Sequence, residues 1–145
     1  MGLPRRELPL QRDESGRLRV YDPLRKGYFV CTPEEEVRQQ LIRHLTEDKS
    51  FPAGNIAVER EFRFGNRRKR FDLLVFGGKG QALLVCECKA PHLSLNDDAW
   101  YQLAVYNAQL GAPYQLLTNG PELLFAGSDQ QIRGHSVPDW KILLG

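Results

Sequence analysis

Apolar and polar positions along this chain change period several times, and each change marks an element. Val58, Arg60, Phe62 and Phe64 alternate with Glu59, Glu61 and Arg63, the two-residue period of a strand with two distinguishable faces. Phe71 to Phe76 and Gln81 to Cys88 are short apolar runs separated by Gly77, Gly78 and Gly80. They are too short for independent helices and predict a hairpin with residues 77–80 as its loop. With Gly65-Asn66 turning the first strand through the basic row into Phe71, three antiparallel strands follow one another as a meander.

Helical periods flank this meander. Thr32-Pro33-Glu34-Glu35 is a helix start, with Thr32 as N-cap, Pro33 at the first helical position and Glu35 closing a capping box. Val37, Leu41, Ile42 and Leu45 then form a buried stripe that ends near Glu47. Ser94, Asn96, Asp97 and Asp98 supply caps and negative charge for a second helix running to about Leu110, with Gly111 as its stop. Tyr114 to Thr118 is a strand reached through that helix, so it is expected to lie parallel to one of the first three. Asn119-Gly120 turns into Glu122 to Phe125, and Val137, Trp140, Ile142, Leu143 and Leu144 are expected to dock the C-terminal end. Ahead of the first helix, Val20 to Pro23 and Gly27 to Val30 flank a turn and predict a small hairpin, with Asp22-Pro23 as turn chemistry. The sequence thus divides into a flexible arm over residues 1–18 and a single domain over 19–145.

Composition narrows the class. In 145 residues, 41% hydrophobic and 26% charged, there is room for one soluble domain with a core and no second domain. No apolar run approaches the roughly 18 residues of a membrane span, and the first residues lack an apolar signal core, so a cytoplasmic location is the expectation. Cys31, Cys86 and Cys88 are an odd number with no metal-type repeat, which suits buried, reduced thiols. A formal charge of +2 does not argue nucleic-acid binding, but Arg67, Arg68, Lys69 and Arg70 concentrate positive charge in one row. They are candidates for a phosphate backbone, against the alternative of a solvated hairpin tip.

The candidate chemistry lies in the hairpin. If residue 76 faces residue 81, Asp72 faces Val85 and Glu87 lies diagonally beside Asp72, with Asp72, Glu87 and Lys89 on one face. Diagonal neighbours stand roughly 7–8 Å apart, within reach of one ion between two carboxylates. Two anions in a strand interior need a partner, and oxygen ligands with open water positions suit Mg²⁺ or Mn²⁺ better than zinc. The plainer reading is a solvated salt-bridge trio on an edge strand.

The order helix, three antiparallel strands, helix, strand, with Asp72 on the second strand and Glu87-Cys88-Lys89 on the third, resembles the PD-(D/E)XK nuclease superfamily, Phe71 replacing the usual proline. Tyr21 to Lys26, Thr32 to Glu35 with Val37-Arg38-Gln39, Arg70-Phe71-Asp72, Val85 to Pro91 and Thr118-Asn119-Gly120 are similar to the N-terminal nuclease domain of the type I restriction enzyme R subunit, over residues 20 to about 126. The resemblance implies an α/β fold: a restriction-endonuclease-like αβββαβ core with a central mixed sheet flanked by helices, plus the N-terminal hairpin and a C-terminal extension. It implies an Mg²⁺-dependent (or Mn²⁺-dependent) endodeoxyribonuclease in which Asp72, Glu87 and the carbonyl of Cys88 hold the ion and Lys89 acts on the water or phosphate. Gln102 and Tyr106 match a Gln-x-x-x-Tyr helix motif placed beside the active site, and Glu35 matches an acidic first-helix position near the metal, with Glu34 and Glu36 as alternates. The implied partners are DNA and a separate motor or specificity subunit, since the chain has no phosphate-loop motif of its own; a homodimer is also open. Two rivals remain: a catalytically silent nucleic-acid-binding or assembly module, and a zinc or redox site at Cys86 and Cys88.

Overall fold

A computed structural model describes residues 2–127 and 133–145. Its first sheet is antiparallel and built from β1 (Leu10–Arg12), β2 (Leu18–Asp22) and β3 (Gly27–Val30) in that order. Asp22 closes the β2–β3 turn, its Oδ1 accepting the N–H groups of Leu24 at 2.7 Å and Arg25 at 3.1 Å. The expected hairpin therefore gains a third strand from the segment read as a loose arm. That segment is bonded along its length: Leu3 N–H to Gly120 O at 2.7 Å, Gln40 Nε2 to Arg6 O at 2.8 Å, and Tyr21 N–H to Pro9 O at 3.0 Å. Its many charges suggested solvation, yet Arg6 pairs with Glu47 and Asp48 and the arm lies across the first helix.

That helix, α1 (Pro33–Arg43), starts where the sequence places it. Thr32 Oγ1 accepts the Glu35 N–H at 3.0 Å, and Pro33 fills the first position, where no N–H is needed. The capping box is incomplete, because the Thr32 N–H goes to Val30 O instead. A π turn over His44–Asp48 prolongs α1, so Val37, Leu41, Ile42 and Leu45 are all buried.

The main sheet follows the order β4 (Ile56–Phe64), β5 (Arg67–Phe76), β6 (Ala82–Cys88), β7 (Tyr114–Thr118), β8 (Leu123–Gly127) and β9 (Arg133–Gly134). All neighbours are antiparallel except β6 and β7, whose parallel pairing is made possible by the intervening α2 (Asp97–Leu110). Asn96 Oδ1 caps α2 through the Ala99 N–H, and Gly111 stops it at φ +84°, a conformation that favours glycine. The mixed sheet separates two apolar layers. Val37, Leu41, Leu73, Val75, Leu84 and Cys86 pack on the α1 side, and Phe71, Leu74, Val85, Leu103 and Leu117 on the α2 side. Cys86 and Cys88 are buried free thiols, as expected, whereas Cys31 is only half-buried.

The last helix, α3 (Trp140–Leu144), packs Trp140 on Phe51 at 5.1 Å between ring centroids. Val137 and Leu143 dock as predicted, but Ile142 and Leu144 face solvent. No helix among the described residues is long and apolar enough to cross a membrane.

Candidate active site

Pairing between β5 and β6 differs from the expected register. Phe76 pairs with Ala82 and Val75 with Leu84, an irregularity that places one extra residue on β6, and from there Leu73 pairs with Cys86. Continued by one residue, that register sets Asp72 opposite Glu87 itself, where the sequence analysis had Val85. The hairpin loop supplies one of the two residues of shift, since the Gly77 N–H bonds Gln81 O at 2.8 Å, which keeps Gln81 in the turn and starts β6 at Ala82; the irregularity at Val75 and Phe76 supplies the other.

The regular ladder stops just before this pair, and the carboxylates take over its hydrogen bonds. Cys88 N–H donates to Asp72 Oδ2 at 2.8 Å, and Asp72 N–H points to Glu87 Oε1 at 3.4 Å. The strands thus fork at the candidate site. Alternation also slips here, since Phe71 and Leu74 both pack on the α2 side while Leu73 and Val75 pack on the α1 side. Across from the slip, Glu59 interrupts β4 with φ +54°, a strained conformation for a residue with a side chain. Asp72 is therefore turned toward α1, where Arg38 Nη2 donates to its Oδ1 at 2.7 Å. Glu87 is held instead by Lys69, whose Nζ lies 2.6 Å from Oε2. The two acids meet across the fork and do not stand side by side on one face.

Their proximity registers electrostatically. Burial and then the charge of Asp72 push the Glu87 carboxyl up to about 7, with Lys69 acting against the shift. Glu34, at the start of α1, is raised from the ordinary glutamate value by burial and then by Asp72, while Arg38 and Lys89 oppose. Glu35 has other partners: Arg25 at 2.7 Å and Arg38 at 3.0 Å on one oxygen, and Gln39 Nε2 at 3.1 Å on the other. Lys89 is fixed through its backbone, its N–H bonding Thr118 O at 2.8 Å. Its ammonium pairs with no carboxylate among the described residues.

Behind Asp72 runs an ion network that the sequence analysis missed. Arg38 bridges Asp72, Glu35 and Glu59, and Arg25 bridges Asp22, Glu35 and Glu59. Burial disfavours the Arg38 charge, yet its carboxylate partners outweigh this and hold the guanidinium firmly protonated. Both arginines stand in segments that carried the family resemblance, and Arg38 lies three residues after Glu35, the spacing of helical neighbours. That spacing was the available signal. An open groove of about 590 Å³, lined by Arg25, Glu34, Glu35, Arg38, Glu59 and His92 among others, runs along this side.

The basic row lies within β5, so alternation divides it. Arg68 and Arg70 reach Glu61 at 3.9 Å and 3.6 Å on one face, whereas Lys69 turns to the other to meet Glu87. On α2, Tyr106 packs on Phe64 at 5.7 Å, and the Lys69 ammonium lies 5.6 Å from its ring centroid. Gln102 is exposed, and with Arg67 and Tyr106 it lines a depression of about 250 Å³. Tyr106 is thus joined to the site through Lys69, and Gln102 is not brought into contact with either acid.

Asp72 and Glu87 sit opposite each other across the fork and offer oxygen donors only, the donor type a hard divalent ion takes. Among the described residues, no group of three or more His, Cys, Asp or Glu side chains converges on one point, which leaves backbone carbonyl and water to complete any shell. The type I restriction enzyme R protein N terminus, as a family, matches residues 33–137, well over half of the chain. No curated protein matches it.

Proposed function

The chain belongs to the type I restriction enzyme R protein N-terminus family, and from that premise we propose that it is a metal-dependent nuclease hydrolysing the phosphodiester bonds of DNA. The reading is carried by the fork in the β5–β6 ladder, where Asp72 and Glu87 face each other in place of a regular backbone rung.

In this reading Asp72, Glu87 and the carbonyl of Cys88 hold Mg²⁺ or Mn²⁺. When bound, such an ion lowers the pKa of a coordinated water and offsets charge on the phosphate. The chain's own residues prepare the ground. Cys88 N–H and Arg38 bond one oxygen of Asp72 each and hold the carboxylate in one orientation. Lys89, anchored by Thr118 O and without a carboxylate partner among the described residues, is available to the charge that develops on the phosphate. Glu34, which lines the groove with Glu35, is the alternate to Glu35 as the first-helix acid near the site, since Glu35 already bonds Arg25, Arg38 and Gln39. Arg67, Arg68 and Arg70 contact the DNA backbone, and Gln102 and Tyr106 position the strand or the catalytic groups from α2. A separate motor or specificity subunit supplies translocation or target choice.

A catalytically silent DNA-binding module is the second reading. It is favoured by one observation: each of the two acids already carries a protein cation, Arg38 on Asp72 and Lys69 on Glu87.

Incubation with single- and double-stranded DNA in Mg²⁺ or Mn²⁺ separates the two. Cleavage by the wild type, lost in Asp72→Ala, Glu87→Gln and Lys89→Ala, is the expected result. DNA binding without cleavage in either metal would sink the nuclease reading.

A further inference from the structure

The two protein cations at the site differ in freedom. Arg38 is buried and tied to Asp72, Glu35 and Glu59. Lys69 keeps 24% of its side chain exposed, and among the described residues Glu87 is its one carboxylate partner. Around its ammonium stand two rings, with centroids 5.7 Å away for Phe71 and 5.6 Å for Tyr106. These faces attract a cation without fixing its direction, so the ammonium has a seat that does not depend on Glu87. Its neighbours in β5, Arg67, Arg68 and Arg70, all face solvent.

We propose that Lys69 and a divalent cation compete for Glu87, so that cation binding releases the Lys69 ammonium to the nucleic-acid backbone. The inference rests on the nuclease reading and adds to it a coupling between metal and DNA. Charge argues for exchange: a lysine and a divalent ion on one carboxylate repel each other, and the lysine is the partner that can move. Its flexible four-carbon stem carries a point charge whose hydrogen bonds reorient freely, unlike the arginine fork on Asp72. Glu87 Oε1 already accepts the Asp72 backbone N–H at 3.4 Å, so an ion that takes Glu87 through Oε2 or through both oxygens meets the oxygen Lys69 holds at 2.6 Å. Released, the ammonium joins the exposed Arg67 on its own side of the strand, with Arg68 and Arg70 on the other, and the count of phosphate contacts rises by one only when metal is present.

Mn²⁺ binding to the full chain, followed by calorimetry, tests the competition. Lys69→Met is expected to bind Mn²⁺ about 5- to 10-fold more tightly than wild type, the scale of an ordinary coupling between two ligands. Lys69→Arg should bind at or below wild-type affinity, and Lys79→Met, in the exposed hairpin loop, at wild-type affinity. Should Lys69→Met fail to fold, Lys69→Gln replaces it, since an amide can still bond Glu87 without charge. Binding to a phosphorothioate duplex supplies the reciprocal measurement: the wild-type salt slope should steepen by about one with metal, while the variant's slope stays the same. Mn²⁺ affinity unchanged or weakened by Lys69→Met would overturn the inference and leave the nuclease reading standing. An absence of Mn²⁺ binding in wild type and every variant would overturn both.

Discussion

Arg38 Nη2 lies 2.7 Å from Asp72 Oδ1, and this contact ties α1 to the strand that carries the site. Through Glu35 and Arg25 it continues to Asp22 in the first sheet, so the small N-terminal sheet is wired to the same acid as the main one. The arrangement explains how an anion is tolerated at a nearly buried strand position, and it has measurable consequences.

Removing Arg38 leaves three carboxylates without their shared cation. Arg38→Met is expected to cost about 3–5 kcal/mol in urea denaturation without metal, the range for breaking a buried pair from one side. Arg38→Met combined with Asp72→Asn should lose less than the sum of the single changes, because the second change removes an orphaned charge. Additive losses would show that the two side chains are not coupled.

Stability should depend on pH through Asp22. Burial opposes its charge, but Arg25 and the N–H groups of Arg25 and Leu24 outweigh burial and hold the carboxyl below its ordinary value. A carboxylate depressed in the folded state stabilises above its unfolded pKa of about 3.9, and that contribution fades as pH falls through the folded value. The gap between wild type and Asp22→Asn, about 1–3 kcal/mol at pH 7, should therefore narrow below about pH 4. A gap that stays constant from pH 7 to pH 3 would contradict the assignment.

Salt titrations of DNA binding resolve the basic strand. Arg68→Ala and Arg70→Ala are each expected to weaken binding for all sequences alike and to reduce the salt slope by about one. Glu61 lies 3.9 Å and 3.6 Å from these guanidinium groups, so Glu61→Ala should strengthen binding.

Deleting residues 1–9 should lower stability by about 2–4 kcal/mol, from the partial burial of Leu3 and the loss of several backbone bonds. A solvated arm would change thermal or urea unfolding by less than about 0.5 kcal/mol.

What could be read from the chain without coordinates follows a physical line. The start of α1 at Thr32-Pro33 and the stop of α2 at Gly111 depend on residues a few positions apart, and the β4–β5–β6 meander and the parallel β7 follow from the short turns and the helix that connect those strands. Asp72, Glu87 and Lys89 could be singled out because charged residues inside apolar runs are conspicuous. The basic row misled as a single patch because a row in sequence becomes two faces once the residues enter a strand.

The chain by itself determined the order and type of the elements from β2 to β8, since capping chemistry and hydrophobic period act over one turn or one hairpin. Only the tertiary structure decided which atoms meet. A turn that keeps Gln81 and an irregularity at Val75 and Phe76 each shifted the pairing by one residue and together moved Asp72 opposite Glu87, and beside the positive φ of Glu59 the aspartate meets Arg38. Register and ion-pair choice depend on how far a turn extends and which helix lies over a strand, and both are fixed by contacts between residues distant in sequence.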